Sequence, residues 1–323
     1  MDNTFKIYKD FDIINDPISS FLRCSLVGDY YNPPVDYGVL TESIKMNAHH
    51  ESALEAKTNI LSSCFKPTKF LDTNEFQKFI SDYFVFGNAY FVPVRNKLGG
   101  VMQFDHRMAN NIRKKRDGSY IFRLNTEVGQ DITEIKEIIH FKAYDPTQNI
   151  YGVPKYLGAL LDIVLNHSAT IFRYRYYKNG SYAGFILSIN GEMTDDDLKA
   201  INDQLKNSKG VNNFSNMMIH MPKGDKNAVN LIPISEIATK DEFVNIKNVT
   251  RDDILAAHRM PPELLSIMPT NTGGFGNVKD RATVYYFNEM LPIINRLNGI
   301  NTKLGMKIFD FTEYALIKSN SDK

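Results

Sequence analysis

Cysteine is nearly absent from this chain: Cys24 and Cys64 are the only two among 323 residues. Two thiols so far apart build neither a disulfide framework nor a metal knuckle, and they suit a reducing cytoplasm. No window approaches the ~18 uninterrupted apolar residues that a membrane-spanning helix requires. The stretch MDNTFKIYKDFD lacks the basic-then-apolar order of a secretory signal. Membrane spanning and Sec-type export are therefore disfavoured. Net charge is nearly absent too, since 38 basic against 37 acidic residues leave +1, and the total advertises no nucleic-acid binder. The chain also has no G-K-[ST] ending of a phosphate loop, no G-x-S-x-G and no H-x-x-x-H or Cys/His ligand spacing, although it holds seven histidines. Nucleotide hydrolysis, nucleophilic acyl transfer and structural metal binding thus lack their usual anchors. What remains is ordinary globular material, 43% hydrophobic and 23% charged, enough for about two domains or one elaborate one.

The pattern along the chain changes twice. The first forty residues mix Asn32-Pro33-Pro34 with aromatics and read as an arm or an ordered edge. Ile44, Ala53, Leu54, Lys57 and Ile60-Leu61 predict a helix over about 41–63, and a second follows Thr73, a candidate cap. Short strands then recur around Tyr90, Val101, Tyr120 and Ile139, with turns at 95–100 and at Asp117-Gly118. After Pro146 the texture turns helical. Leu157, Leu161, Val164-Leu165, Ser168, Phe172 and Tyr176 mark one side of a helix opened by Gly152-Val153-Pro154 and stopped by Asn179-Gly180. A small mixed module follows, with strands near Ala183–Ile189 and Met217–Met221, a helix over Thr194–Lys206 and a hairpin around Gly224. The next helix, Lys240 to His258, has Thr239 and Glu242 spaced as a capping box and Phe243, Ile246, Val249, Ile254 and Ala257 facing inward. Pro261-Pro262 ends it, a glycine-rich stretch runs from Pro269 to Lys279, and a last helix from about Asp280 must kink at Pro292. Two long helices flanking one small module predict an elongated subunit, more natural in an assembly than in a monomeric enzyme.

Few constellations invite chemistry. His49 and His50 are adjacent, so on a helix they point about 100° apart and cannot easily share an ion. Asp195-Asp196-Asp197 reads as a helix N-terminus, with a Mg²⁺ site as its alternative. Thr272-Gly273-Gly274-Phe275-Gly276 resembles a phosphate cradle only superficially, and a mobile inter-helix loop fits better. Two basic clusters remain. Arg113-Lys114-Lys115-Arg116 lies at a hairpin, as a solvated turn or as a phosphate or intersubunit patch. Arg173, Arg175 and Lys178 alternate with aromatics at a helix C-terminus. The helix dipole alone accounts for such charges, and backbone contact with nucleic acid or salt bridges to a neighbour would account for them equally.

Long ungapped strings resemble the portal proteins of tailed bacteriophages of the PBSX type. They are Asn47-Ala48-His49-His50, Asp82 to Tyr90, Arg95 to Gly100, Tyr151 to Tyr156 and Tyr176-Tyr177-x-Asn179-Gly180-Ser181. In the later half come Leu205-Lys206-x-Ser208-Lys209-Gly210, the run Lys247 to Arg259 with Pro261-Pro262, and Asn271 to Gly276. The resemblance spans about residues 30–310. It departs at Tyr182, Ser266 and Asn277, where the family pattern has a histidine, a glycine and an acid. It implies an α+β, elongated portal-type subunit. Residues 1–150 would be an arm and α+β wing, 151–178 a stem helix, 179–235 a small α/β clip and 236–260 a second stem helix. Residues 261–283 would hold a tunnel loop, and 284–323 a kinked helix with a short crown. It further implies a non-enzymatic ring, typically dodecameric, at one vertex of the phage head, assembled in the host cytoplasm and part of the virion. Such a ring conducts double-stranded DNA without reading its sequence. Its partners would be further copies of itself, the terminase large subunit, the head–tail connector and capsid or scaffold proteins, with no cofactor, metal or membrane. The implied channel candidates are Arg173, Arg175, Lys178, Asn271, Thr272, Gly273, Gly274, Phe275, Gly276, Lys279 and Arg281. The implied docking candidates on the clip are Lys206, Ser208, Lys209, Asn213 and Lys223. A nucleotide-hydrolysing packaging or DNA-processing enzyme is the alternative function, and it would need the phosphate loop that is missing.

Overall fold

A computed structural model describes residues 23–126, 129–178, 185–190, 217–221, 229–233, 239–267 and 277–317, together with Asp196 and Lys199. The chain divides into two compact units. The first comprises Met1–Ile163 with Asp253–Lys323, and the second, Val164–Asp252, is nested within it.

The first unit is built from helices laid against two antiparallel sheets. The helix expected over 41–63 is two helices, α1 (Tyr37–Met46) and α2 (Ala48–Cys64). Asn47 breaks it: its backbone is extended, and its side-chain oxygen accepts from the N–H groups of His49 and His50, satisfying donors left open at the start of α2. The next helix, α3 (Thr73–Phe86), is capped one residue earlier than Thr73, by Asp72, whose carboxylate accepts from Glu75 N–H at 2.9 Å. Gly87 closes α3 in the left-handed conformation, φ 70°.

One sheet has the order β1-β2-β5-β6-β7, formed by Leu26–Val27, Tyr30–Tyr31, Ile112–Lys115, Tyr120–Thr126 and Gly129–Ile135. The ordered edge expected near the start is thus a two-strand ribbon paired to β5, with Tyr31 opposite Lys114. The other sheet has the order β4-β3-β8, from Val101–Arg107, Asn88–Arg95 and Ile139–Lys142. Strands β1, β2, β5 and β7 escape the periodicity reading because they are very short or carry several charges.

Aromatic rings form the centre of this unit. Phe79 of α3 stacks on Phe91 of β3 at 4.1 Å, and Phe65 stacks on Phe76 at 4.2 Å. Such pairs add roughly 0.5–1.5 kcal/mol each beyond the area they bury. Two glycines let three chain segments cross beneath them. A Cβ on Gly152 would lie 2.1 Å from the Gly87 carbonyl oxygen and 2.6 Å from Ala143 N. The buried Asn88 ties this crossing: its amide donates to Tyr37 Oη, Phe86 O and Gly152 O, and its oxygen accepts from Gly152 N–H at 2.6 Å.

The later helices of this unit are α6 (Val278–Tyr285) and α7 (Leu291–Leu304). The expected pause at Pro292 is a π-helical turn, Tyr286–Met290, which places the proline in the first turn of α7, where its missing N–H costs nothing.

In the second unit, β9 (Phe185–Asn190) is the central strand of a three-stranded sheet. It pairs parallel with β10 (Met217–Met221) and antiparallel with β11 (Val229–Pro233). Gly224 lies outside the described residues, but the hairpin expected around it is not a ladder. The strands before and after it both pair with β9 rather than with each other. The helices α4 (Leu160–Lys178) and α5 (Thr239–Ala257) carry the chain across the unit boundaries. Helix α4 starts after a 3₁₀ turn at Leu157–Ala159, not at Val153. The Thr239–Glu242 capping pair and almost all of the helix expected over Thr194–Lys206 lie outside the described side chains, apart from exposed Asp196 and Lys199 within helical turns.

Candidate nucleic-acid interface

Helices α4 and α5 present the first group of candidate channel residues. Within the second unit they are joined through polar groups: Asn166 donates to Thr250 Oγ1 at 2.7 Å and to Lys247 O at 3.3 Å. The sides assigned inward from the sequence need correcting. Leu161 and Leu165 are about half exposed, Val249 is 59% exposed and Tyr174 is 64% exposed, whereas Leu160, Ile163, Ala169 and Ile254 are buried. A periodic apolar stripe identifies a face that wants cover, not the element that covers it.

Arg173 is exposed and Arg175 half-exposed on α4, and neither forms an ion pair with a described residue. Lys178 ends the helix, with its side chain outside the described set. Lys247 of α5 feels this charge. Burial holds its ammonium below the usual range, and the Arg173 guanidinium lowers it further. An anion brought to this surface would relieve both the desolvation and the repulsion.

The remaining candidates separate. Asn271 to Gly276 lie outside the described residues, as do Lys206, Ser208, Lys209, Asn213 and Lys223. Lys279 is exposed on the first turn of α6. Arg281 is exposed too, but its Nε lies 3.7 Å from the nearly buried carboxylate of Glu263, so it is partly committed to its own fold. Asn277, which stands where the family pattern has an acid, caps α6 by accepting from the N–H groups of Lys279 and Asp280. Ser266, in place of a glycine, has φ 57°, the left-handed backbone that a glycine adopts without cost.

The second basic cluster is largely occupied internally. Lys115 bridges Asp29 and Glu134, each at 3.1 Å, Arg113 donates to the carbonyls of Asn110 and Ile112, and Arg123 lies over the Tyr30 ring at 4.8 Å. It holds β2, β5 and β7 together. Among the described residues, no group of three or more His, Cys, Asp or Glu could hold a metal ion, and no helix is long and apolar enough to cross a membrane.

Comparison with known proteins decides between the readings of these faces. The family model for phage portal protein matches residues 45–317. The chain belongs to the phage portal protein family. It is thereby a portal component of the capsid vertex, and its family is structural rather than enzymatic. The probable portal protein of Escherichia phage P2 is 34% identical over 304 residues, 94% of this chain and 88% of the relative. That of Haemophilus phage HP1 is 36% identical over 81% of this chain and 78% of its own. The fold agrees. A HK97 family phage portal protein from Corynebacterium diphtheriae superposes with a TM-score of 0.60, covering 86% of this chain and 96% of that one at 12% identity. A chain of the virion of the native gene transfer agent particle gives 0.59, covering 84% and 81% at 16% identity. The α+β portal fold is the fold of this chain.

Proposed function

We propose that this portal protein closes into a ring, dodecameric in the form expected from its family, through which double-stranded DNA passes inward at packaging and outward at ejection. Adjacent subunits meet through heterologous contacts, each presenting two different faces that close by rotation. The observation that carries this reading is that the second unit turns outward both its apolar side chains (Leu165, Tyr174, Val249) and the cation Arg173. The apolar side chains suit burial against a neighbouring copy, and the cations suit a phosphate backbone. A conduit must tolerate every sequence, so backbone electrostatics have to dominate over base readout. It must also release what it holds, and since each neutralised phosphate adds affinity through counterion release, a chain with net charge +1 is suited to sliding. The stretch Asn271–Gly276 is assigned beside the DNA as a tunnel loop. Lys206, Ser208, Lys209, Asn213 and Lys223 are assigned to docking the terminase large subunit and the head–tail connector, and capsid or scaffold proteins are further partners.

Native mass spectrometry gives the subunit number, and electron microscopy gives the axial hole. A closed ring with a hole wide enough for a duplex is expected, and monomers alone, in solution and in procapsids, would overturn the proposal. Reversing Arg173, Arg175 and Lys178 to Glu is expected to reduce packaged DNA length or ring yield at least severalfold. Unchanged values of both would mean that these charges merely complement the helix dipole.

A further inference from the structure

The first unit contains a cavity of about 220 Å³ that the channel reading leaves unused. Its wall carries four cations, Lys57, Lys155, Arg259 and Arg296, against a single carboxylate, Glu289. Three of the cations are engaged: Arg259 pairs with Glu289 at 3.2 Å, Arg296 donates to Tyr83 Oη at 3.0 Å, and Lys155 donates to Tyr144 O at 3.2 Å. Lys57 is different. Half-buried within the apolar stripe of α2, it has no hydrogen bond or ion pair with a described residue, and its Nζ stands 5.7 Å from the Phe84 ring centroid. Burial pushes its ammonium down to about 8, with Glu289 opposing the shift. A desolvated charge without a partner is expensive and calls for a counter-charge.

The same wall carries an orphan acceptor, found by following protons. Ser43 spends its hydroxyl hydrogen on Leu40 O at 2.8 Å, so toward His50 Nε2, at 3.4 Å, it can only accept. His50 therefore carries its proton on Nε2 and offers a bare Nδ1, to which His258 Nε2–H donates at 2.8 Å. That leaves Nδ1 of His258 unprotonated, buried and without a partner, in a residue only 1% exposed. Arg259 beside it has φ 53°, a left-handed backbone that disfavours any residue with a Cβ. Its guanidinium is kept there against that preference.

An unpartnered donor cation and an unpartnered acceptor on one wall select a ligand of a particular kind: an anion that retains an O–H. Sulfate at neutral pH has no such hydrogen, nor does the phosphodiester of a DNA backbone. Hydrogen phosphate does. We propose that this cavity is a binding site for inorganic phosphate, its charged oxygens facing Lys57 and Arg259 and its hydroxyl donated to His258. The proposal stands on the first unit alone and is independent of ring closure or DNA conduction.

Calorimetry and thermal melting of the full chain, with phosphate and sulfate compared at equal ionic strength, test it. Phosphate is expected to bind saturably and to raise the melting temperature, with sulfate at least tenfold weaker. Arg259→Gly suits the φ 53° backbone and so is expected to fold as the parent does, yet to weaken phosphate binding tenfold or more. Lys57→Met keeps an unbranched apolar stem and is expected to do the same. Equal binding of sulfate and phosphate, no saturable response, or undiminished phosphate affinity in both variants would each overturn the proposal. A short strand with a 5′-phosphate that displaces phosphate when its 5′-hydroxyl counterpart does not would reassign the cavity to a strand terminus and overturn the free-anion assignment.

Discussion

The two units of this portal protein are built on opposite principles. The first keeps its large side chains to itself: Phe76, Phe79, Phe91, Tyr90 and Tyr151 are fully buried, and Asn88 is hydrogen-bonded on every side. In the described part of the second, the helices meet through Asn166 and Thr250, while Leu165, Tyr174 and Val249 face outward. A unit that has buried its apolar surface is stable alone, whereas one that leaves such a stripe exposed is finished by a neighbour. The difference separates what this chain does for its own fold from what it does for an assembly.

The severest way to break the contrast is Gly152→Ala. The added methyl has to displace backbone, because Gly87 O, Ala143 N and Ala143 O all lie within 2.8 Å of it. A loss of about 5 kcal/mol, read from denaturant unfolding, is expected, and a loss below about 1 kcal/mol would show that the crossing relaxes easily.

Acid acts next. His50, His140 and His258 all belong to the first unit, and burial lowers them to about 4, about 3 and about 2 respectively. Each is neutral when folded and takes up a proton more readily when unfolded, so its contribution is complete above the unfolded value near 6.5 and is lost as pH falls below it. At pH 5.5 this amounts to about 1.4 kcal/mol per histidine, roughly 4 kcal/mol in all. A denaturation midpoint unchanged between pH 7 and 5.5 would contradict the burial of these rings.

The smallest effect on stability sharpens the contrast most. The pair Leu165→Ser and Val249→Ser is expected to change monomer stability by no more than about 0.5 kcal/mol, as for exposed positions generally, while reducing ring yield at least tenfold by native mass spectrometry. Equal ring yield would remove these side chains from the subunit interface.

Much of this division could be read from the residues, and its limits have physical causes. The helix caps, the turn at Asp117-Gly118 and the strands around Tyr90 and Ile139 were legible because they rest on local chemistry. The break at Asn47 was hidden because an apolar stripe continues across it, and only the extended backbone of that residue reveals two helices. Val249 and Leu165 were assigned inward because a hydrophobic period reports that a face is buried somewhere, without saying by which molecule. The parallel pairing of β9 and β10 could not be read, since strand order is decided by non-local closure. As for the site, Arg173 and Arg175 stood out by composition, whereas Lys57 and Arg259 did not. A lysine within an apolar stripe looks like a snorkelling side chain, and nothing in the sequence states that Arg259 takes a left-handed backbone.

The nesting of the second unit has a consequence for inheritance. The chain leaves the first unit at Ile163 and returns at Asp253, in both cases part-way along a helix, and Asn166 and Thr250 touch just beyond these points. A gene segment inserted there must match only two helix registers and one polar contact to be compatible with the host fold. The segment is therefore exchangeable: phages that swap it by recombination could acquire a different docking surface while retaining the aromatic core of the first unit unchanged.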